Sequence, residues 1–143
     1  MLVKQISVFV ENKQGRLVDI IEELYKLEIN IGAVSIADTT DFGILRMIVN
    51  QPDKAYSGLK EAGYTVSMTE VIAVEMEDIP GGLYDVLQVL RSRQVSIEYL
   101  YSFMRRTDSK AIIICRVENP NDAIDALQNA GKRVLTQDEV YSM

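Results

Sequence analysis

Apolar residues change their spacing in a fixed order along the first half of the chain. The segment KQISVFV alternates apolar and polar residues, so Ile6, Val8 and Val10 lie on one face of a predicted strand. The next apolar run, LVDIIEEL, has the spacing of one face of a helix. Two more strands, INIGAVSIA and GILRMIVN, are joined by the polar turn DTTD. A helix that opens at Pro52 and a last strand, YTVSM, complete a predicted βαββαβ unit.

The second half of the chain repeats this unit. Gly15 recurs as Gly81, an offset of 66 residues, and Pro52 recurs as Pro120, an offset of 68 residues. The apolar positions of the first strand and the first helix recur with them. We therefore predict an α+β protein with two ferredoxin-like βαββαβ units, each a four-stranded antiparallel sheet with helices on one face.

The predicted boundary between the two units lies inside a nearly uninterrupted segment. We assign residues 1–68 to the first domain and residues 69–143 to the second. No linker rich in Pro, Gly or Ser separates them, because VSMTEVIAVEM joins the last strand of one unit to the first strand of the next. In the ferredoxin-like order the second strand of each unit lies on a sheet edge. These two edges are expected to pair side by side, which would protect both from aggregation.

Several helix ends are marked in the sequence. Gly63 and Gly131 follow the second helix of each unit and are suited to the left-handed residue that closes a helix. The final segment, TQDEVYSM, places Thr136 three residues before a glutamate, which is the spacing of a capping box. We therefore predict a short terminal helix.

Composition and charge argue against several functions. The chain has 21 acidic and 15 basic side chains and no basic run, so nucleic acid is not an expected partner. Histidine is absent, which removes the commonest general base and transition-metal ligand, and we predict no enzyme activity, cofactor or metal. Cys115 lies in the apolar segment AIIICRV and is expected to be buried. Short apolar stretches and the lack of a signal-peptide pattern after Met1 predict a soluble cytoplasmic protein with no membrane partner.

The loop before the first helix of each unit is a candidate binding site for an anionic group. ENKQGRL and EDIPGGL each precede a helix, and Gly15 and Gly81 allow a sharp turn from strand to helix. The unpaired N–H groups at a helix start attract anions. Gly82 lies opposite Arg16 in the repeat, and the turn does not require it, so we expect the second loop to be the more open one. On the loops alone, a plain structural turn is the favoured interpretation.

These loops and the first hairpin resemble the tandem ACT-domain family. The resemblance rests on DIPGGL, on NKQGRL at the matching place and on SIADTTDFGILRMIV, and it covers essentially the whole chain. It implies a protein that binds amino acids or similar small effectors and regulates an attached or associated enzyme. It also implies side-by-side pairing that brings the two loops together with a ligand between domains. Where the family often has glycine after the first helix, this chain has Glu28 and Gln94, so these helices are expected to end without the usual left-handed glycine.

A free amino acid carries a carboxylate and an ammonium group. Its site needs clustered N–H donors and, a few ångströms away, clustered oxygen acceptors. The two loops supply such donors, and the first hairpin, which includes Asp41, supplies such oxygens. We predict ligand contacts from the first loop, the first hairpin and the second loop: Asn12, Gln14, Gly15, Arg16 and Leu17; Asp38, Thr39 and Thr40; and Asp78, Ile79, Pro80, Gly81, Gly82 and Leu83.

Other interpretations remain open at this point. An RNA-recognition module shares the βαββαβ order, but AIIICRV has no aromatic residue on which a base could stack. A structural oligomerisation module without a ligand would have the same pattern. Tyr99 and Tyr101 face the same way on a strand and are interpreted as a core or interface pair, with a ligand-pocket wall second. Apolar residues on both faces of one strand, such as Ile44 and Leu45, predict a homodimer.

Overall fold

The computed structural model describes residues 1–38, 41–104 and 108–143. Within these ranges the elements follow the order of two βαββα units that share one strand, and a terminal helix follows. The strands are β1 (Val3–Glu11), β2 (Ile31–Asp38), β3 (Phe42–Val49), β4 (Val66–Glu77), β5 (Ile97–Ser102) and β6 (Lys110–Val117). The helices are α1 (Arg16–Lys26), α2 (Pro52–Glu61), α3 (Gly82–Ser92), α4 (Pro120–Asn129) and α5 (Gln137–Tyr141).

The strands form one six-stranded antiparallel sheet in the order β2-β3-β1-β4-β6-β5. Residues 66–71 of β4 pair with β1, and residues 72–77 pair with β6. One long strand is therefore both the last strand of the first unit and the first strand of the second. The two separate four-stranded sheets that the repeat suggests are merged, and the expected final strand KRVL contributes only an isolated bridge between Val134 and Val74.

The helices α1 to α4 pack on one face of this sheet. In the first unit, Ile6, Val8, Leu45 and Met47 of the strands are buried against Ile20, Leu24 and Leu59 of the helices. In the second unit, the same layer contains Ile72, Val74, Ile113 and Cys115 against Val86, Leu90 and Leu127. Burial raises the pKa of the Cys115 thiol to about 12, so it stays protonated and acts as an apolar side chain. The alternating apolar residues of the predicted strands therefore lie on the sheet face that the helices cover, as predicted.

The middle of the opposite face of the sheet is buried inside the chain. The sheet rolls until its two edge strands meet, with an antiparallel bridge between Ala33 and Phe103 and a hydrogen bond of 2.8 Å from the Met104 N–H to the Gly32 carbonyl. This contact confirms the predicted meeting of the second strands of the two units. We call the apolar cluster that it encloses the inner core; it contains Val3, Ala33, Ile48, Val71, Ala73, Tyr101, Phe103, Ile112, Ile114, Leu135 and Val140.

The inner core accounts for much of the apolar character on both strand faces. Ile48 lies in the inner core, while its neighbour Met47 lies under the helices, and both are buried without a second chain. Much of the apolar surface on both faces of these strands is therefore buried within one chain, so it does not require a second copy. A homodimer remains a prediction.

A polar network lies beside the inner core and joins the two units. Gln5 of β1 is fully buried; its amide nitrogen donates to the Tyr99 hydroxyl and its amide oxygen accepts from the Tyr101 hydroxyl, both at 2.7 Å. The Arg46 guanidinium lies 3.8 Å from the centre of the Tyr99 ring. Burial raises the pKa of Tyr101 far above its usual value, so the hydroxyl remains a donor. The two tyrosines therefore form an interface pair between units of the same chain.

Four helix ends have a left-handed residue, and two of these residues are not glycine. Gly63 and Gly131 have φ angles of 95° and 76°, which confirms their predicted left-handed role. Glu28 and Gln94 also adopt left-handed conformations, each with φ of 56°, so the usual motif is present without the glycine. The Ile29 N–H closes the first of these turns by donating to the Leu24 carbonyl at 3.0 Å. The next residue in each case, Ile29 or Val95, is buried, and its burial holds the left-handed conformation although the residue before it has a side chain.

The terminal helix α5 begins with the predicted capping box. The Thr136 hydroxyl accepts from the Glu139 N–H, and the Glu139 carboxylate accepts from the Thr136 N–H. The Tyr141 hydroxyl accepts from the Lys4 N–H at 2.9 Å, which docks the helix against β1. No helix in the described part of the chain combines the length and apolar character needed to cross a bilayer.

Candidate functional site

Each candidate loop lies beside the hairpin of its own unit. The Asn12 N–H donates to the Asp41 carbonyl at 3.2 Å, and the Asp78 N–H donates to the Ser109 carbonyl at 2.9 Å. Because β1 and β4 are antiparallel, these loops leave the sheet from opposite ends of the strand pair. The expectation that one chain brings the two loops together around a shared ligand is therefore wrong. Each unit instead has a groove of its own.

Groove 1 opens beside the end of β1 and has a volume of about 350 Å³. The last backbone contact before it is a hydrogen bond of 3.1 Å from the Phe9 N–H to the Thr65 carbonyl. Since N–H groups alternate along a strand, the Glu11 N–H points the same way, toward the groove. The lining comes from β1, the start of α1, Phe42 and the turn after α2: Phe9, Val10, Glu11, Arg16, Ile20, Phe42, Ala62, Gly63, Tyr64 and Thr65.

Opposite charges lie together on one wall of groove 1. The Arg16 guanidinium is 4.0 Å from the Glu11 carboxylate and 3.9 Å from the Asp19 carboxylate. Lys13 lies closer to Glu11, at 3.2 Å. The hydrogen bond and charge of Lys13, followed by the charge of Arg16, lower the pKa of Glu11. Glu11 is therefore ionised at neutral pH, and among the described residues Arg16 forms long, solvent-exposed ion pairs.

Aromatic side chains form another wall of groove 1. Phe9 is 52% exposed and Phe42 is 53% exposed, while Tyr64 is half-buried. In the sheet register Phe9 is opposite Ile44, and Glu11 is opposite Phe42, so the two phenylalanines are diagonal neighbours on one face. Burial, and next the Asp19 carboxylate, raise the pKa of Tyr64. Its phenol is neutral, and the aromatic wall carries no charge.

Groove 2 occupies the equivalent position in the second unit and is smaller, about 160 Å³. The Glu75 N–H donates to the Arg133 carbonyl at 2.9 Å, as Phe9 does to Thr65 in the first unit. Charged residues dominate this groove, and four of them form the ion pairs Lys110–Glu77 and Arg133–Glu75. Its lining is Glu75, Met76, Glu77, Gly82, Asp85, Lys110, Gly131, Lys132 and Arg133.

The structure brings only some of the sequence-predicted residues to these grooves. Arg16 lines groove 1 and Gly82 lines groove 2. Thr39 and Thr40 lie outside the described residues. The remaining predicted residues lie in the loops, in the first turn of α1 or α3, or at the end of β2, and line neither groove: Asn12, Gln14, Gly15, Leu17, Asp38, Asp78, Ile79, Pro80, Gly81 and Leu83.

Sequence reasoning missed the aromatic wall and the turn after α2. The signal was the repeated pair EAGYTV and NAGKRV, whose glycines mark a helix end but whose next residues also reach the grooves. Phe9 and Phe42 could have been noticed as large apolar residues at strand ends beside the loop. Only the tertiary structure brings them close to Arg16.

Gly82 has a steric role that the sequence did not suggest. Gly15 and Gly81 adopt φ angles of 85° and 90°, which confirms the shared tight turn. Gly82 is buried, and a Cβ atom at this residue would lie 1.9 Å from the Glu77 carbonyl oxygen. The second loop therefore requires this glycine, and the expectation that Gly82 is dispensable for the fold is wrong.

No group of three or more potential metal-ligating side chains occurs among the residues at 1–38, 41–104 and 108–143. Most charged side chains of the grooves lie instead in ion pairs. The chemistry that the grooves offer is therefore recognition of charged and aromatic groups.

The fold and the two related grooves define a tandem protein of ferredoxin-like α+β units. The family model for the ACT domain pair matches residues 1–142, and the chain belongs to this family. No match was found among curated proteins.

Solved structures share this fold. Protein BT0572 from Bacteroides thetaiotaomicron is 39% identical and has a TM-score of 0.94, with 100% of this chain and 98% of that chain covered. The ligand-free regulatory subunit of aspartate kinase from Thermus thermophilus is 15% identical with a TM-score of 0.66, covering 90% of this chain and 93% of that chain. The regulatory subunit from Thermus flavus is 14% identical with a TM-score of 0.61, covering 90% and 92%. The two Thermus proteins share the fold of this chain.

Proposed function

We propose that this protein is a non-catalytic regulatory protein that binds a free amino acid, or a small effector with the same charged groups, in groove 1. One observation carries the proposal: Arg16 and Glu11 lie beside an exposed aromatic wall in a groove of about 350 Å³. Small-molecule sites begin at about 300 Å³, so this groove has room for one amino acid. Membership in the ACT domain pair family supports the same conclusion.

The charges of groove 1 match those of an amino acid. The Arg16 guanidinium offers donors for a carboxylate, and the first N–H groups of α1 have no partner within the helix. Ionised Glu11 offers acceptors for the ammonium group. Asp19 and Glu11 hold Arg16 at about 4 Å, a distance at which a carboxylate can replace either partner without a large loss.

Binding would act through the arrangement of units or of chain copies. A ligand shifts a conformational equilibrium only through different affinities for its states. Groove 1 lies between α1 and the turn that leads into β4, the strand shared by both units. We propose a homodimer in the cytoplasm and, by fold analogy with the aspartate kinase regulatory subunits, a partner enzyme of amino-acid metabolism.

Calorimetric titration with each of the twenty amino acids, together with thermal-shift measurements, tests this function. We expect at least one amino acid to bind. Arg16→Ala should weaken that binding about tenfold or more, since a charge-assisted hydrogen bond contributes about 1.5–3 kcal/mol. Arg93→Ala, which removes an exposed arginine after α3, is the matched control and should bind normally.

The absence of heat and of thermal shift for all twenty amino acids would contradict the proposal. A constant oligomeric state under the same conditions would then favour the alternative of a structural oligomerisation module. Full affinity in Arg16→Ala would show that the ligand lies elsewhere on the chain.

A further inference from the structure

Grooves 1 and 2 differ at every aromatic position of the first groove. The residue opposite Glu11 in the sheet is Phe42, and the residue opposite the equivalent Glu77 is Lys110. The other two aromatic positions change in the same way. The aromatic residues of groove 1 and their equivalents in groove 2 are, in order, Phe9, Phe42 and Tyr64, and Glu75, Lys110 and Lys132.

Four of the six charged residues that line groove 2 form ion pairs with one another. Lys110 donates to Glu77 across the strand pair, and Arg133 is 2.9 Å from Glu75 while also donating to Glu139. Groove 2 also lacks an equivalent of Arg16, because Gly82 occupies that position. An incoming carboxylate would compete with these ion pairs for Lys110 and Arg133 and would find no aromatic surface. Groove 2 therefore matches a ligand with a ring and a carboxylate less well than groove 1 does.

The aromatic rings of groove 1 are partly exposed to solvent. About half of Phe9 and about half of Phe42 remain exposed, although an aromatic side chain buries 150–250 Å² where it is covered. Such rings prefer offset or edge-to-face contact with another ring. A ligand ring placed on this wall would lie next to the Arg16 guanidinium and the start of α1.

We infer that each chain binds one ligand, in groove 1 only, and that this ligand is an aromatic amino acid or a close analogue with a ring and a carboxylate. The inference rests on the proposed function, because it assumes that groove 1 is the effector site. It adds the chemical class of the ligand, the number of sites and the residues that select the ring.

Titration calorimetry with phenylalanine, tyrosine and tryptophan, compared with alanine, aspartate and lysine, tests the inference. We expect at least one aromatic amino acid to bind about tenfold or more tightly than alanine, with one site per chain. Phe42→Lys and Tyr64→Lys place the residues of groove 2 into groove 1 and should weaken aromatic binding about tenfold. Tyr84→Lys is the matched control, because Tyr84 is an exposed aromatic residue on α3 outside both grooves.

Far-UV circular dichroism establishes that each variant is folded, and Phe9→Ala replaces any lysine variant that is not. Binding of only non-aromatic amino acids, with loss in Arg16→Ala, would overturn the inference and leave the proposed function standing. Two sites per chain, or full affinity in Phe42→Lys and Phe9→Ala, would also overturn it. No binding by any amino acid would contradict both. If these variants changed only the oligomeric state in sedimentation, a second copy would be the occupant of the wall, and the inference would be wrong.

Discussion

At the scale of single residues, the backbone conformation of two polar residues departs from what their side chains favour. Glu28 and Gln94 occupy the same position in the two units and have the same left-handed φ angle of 56°. A left-handed conformation is disfavoured for residues other than glycine by about 1–2 kcal/mol. The buried residues that follow, Ile29 and Val95, hold the chain in this turn.

Glu28→Gly should stabilise the protein by about 0.5–1 kcal/mol, because the relief of the left-handed conformation exceeds the entropy that glycine loses on folding. Urea unfolding followed by circular dichroism measures the change. Glu28→Ala keeps the Cβ atom and should show no gain. A loss of stability in Glu28→Gly would mean that the Glu28 side chain makes a contact worth more than the strain.

Gly82→Ala should destabilise the fold by about 1–3 kcal/mol, because the new Cβ atom meets a backbone carbonyl oxygen that cannot move as a side chain does. Thermal unfolding measures the loss. The equivalent residue Arg16 already has a Cβ atom, so Arg16→Ala is the matched control and should keep its melting temperature. An unchanged melting temperature in Gly82→Ala would show that the loop can open at little cost.

At the scale of elements, the network around Gln5 connects β1 of the first unit with β5 of the second. Its amide is fully buried, yet both polar ends have partners, which is what burial of an amide requires. This network joins β1 to β5, and the bridge between Ala33 and Phe103 joins β2 to the residue that follows β5. Together they hold the rolled sheet closed. Side chains of β5 therefore contact the interior strand β1, while the backbone contact at Ala33 joins the two edges of the sheet.

Tyr101→Phe should lower the free energy of unfolding by about 1–3 kcal/mol, because it leaves the buried Gln5 amide oxygen without its donor. Tyr99→Phe should lower it less, since the Gln5 amide nitrogen also donates to Ser7 at 3.3 Å. Chemical unfolding of both variants compares the two effects. Equal losses, or none, would contradict this account of the network.

At the scale of the whole molecule, two features join the units into one body. The strand β4 extends across the predicted boundary between residues 68 and 69, and the inner core takes side chains from both sides of it. The division into residues 1–68 and 69–143 therefore remains a prediction, and it describes the two structural repeats. Neither unit has a sheet of its own that could be removed intact.

We expect thermal unfolding to occur as one cooperative transition, because either unit alone would expose the inner core. Calorimetry should give equal calorimetric and van't Hoff enthalpies. Two resolved transitions would show that the units unfold separately and would support the predicted boundary as a boundary of folding.

The apolar spacing and the repeat predicted the fold class, the order of the elements except for the shared β4 and the missing last strand, the left-handed glycines at residues 63 and 131 and the capping box at Thr136. These features depend on local conformational preferences and on periods of 2 and 3.6 residues, which neighbouring residues determine. The pairing of the second strands was also predicted, because an exposed strand edge favours a partner.

The sequence alone determined that this protein consists of two related units with helices on one side of their strands. The tertiary structure decided that β4 is shared, that the middle of the second sheet face is buried within one chain and that the candidate loops lie at opposite ends. It also decided that Phe9, Phe42 and Tyr64 gather beside Arg16. The physical reason is that these outcomes depend on strand register and on contacts between residues far apart in the chain, which local spacing does not specify.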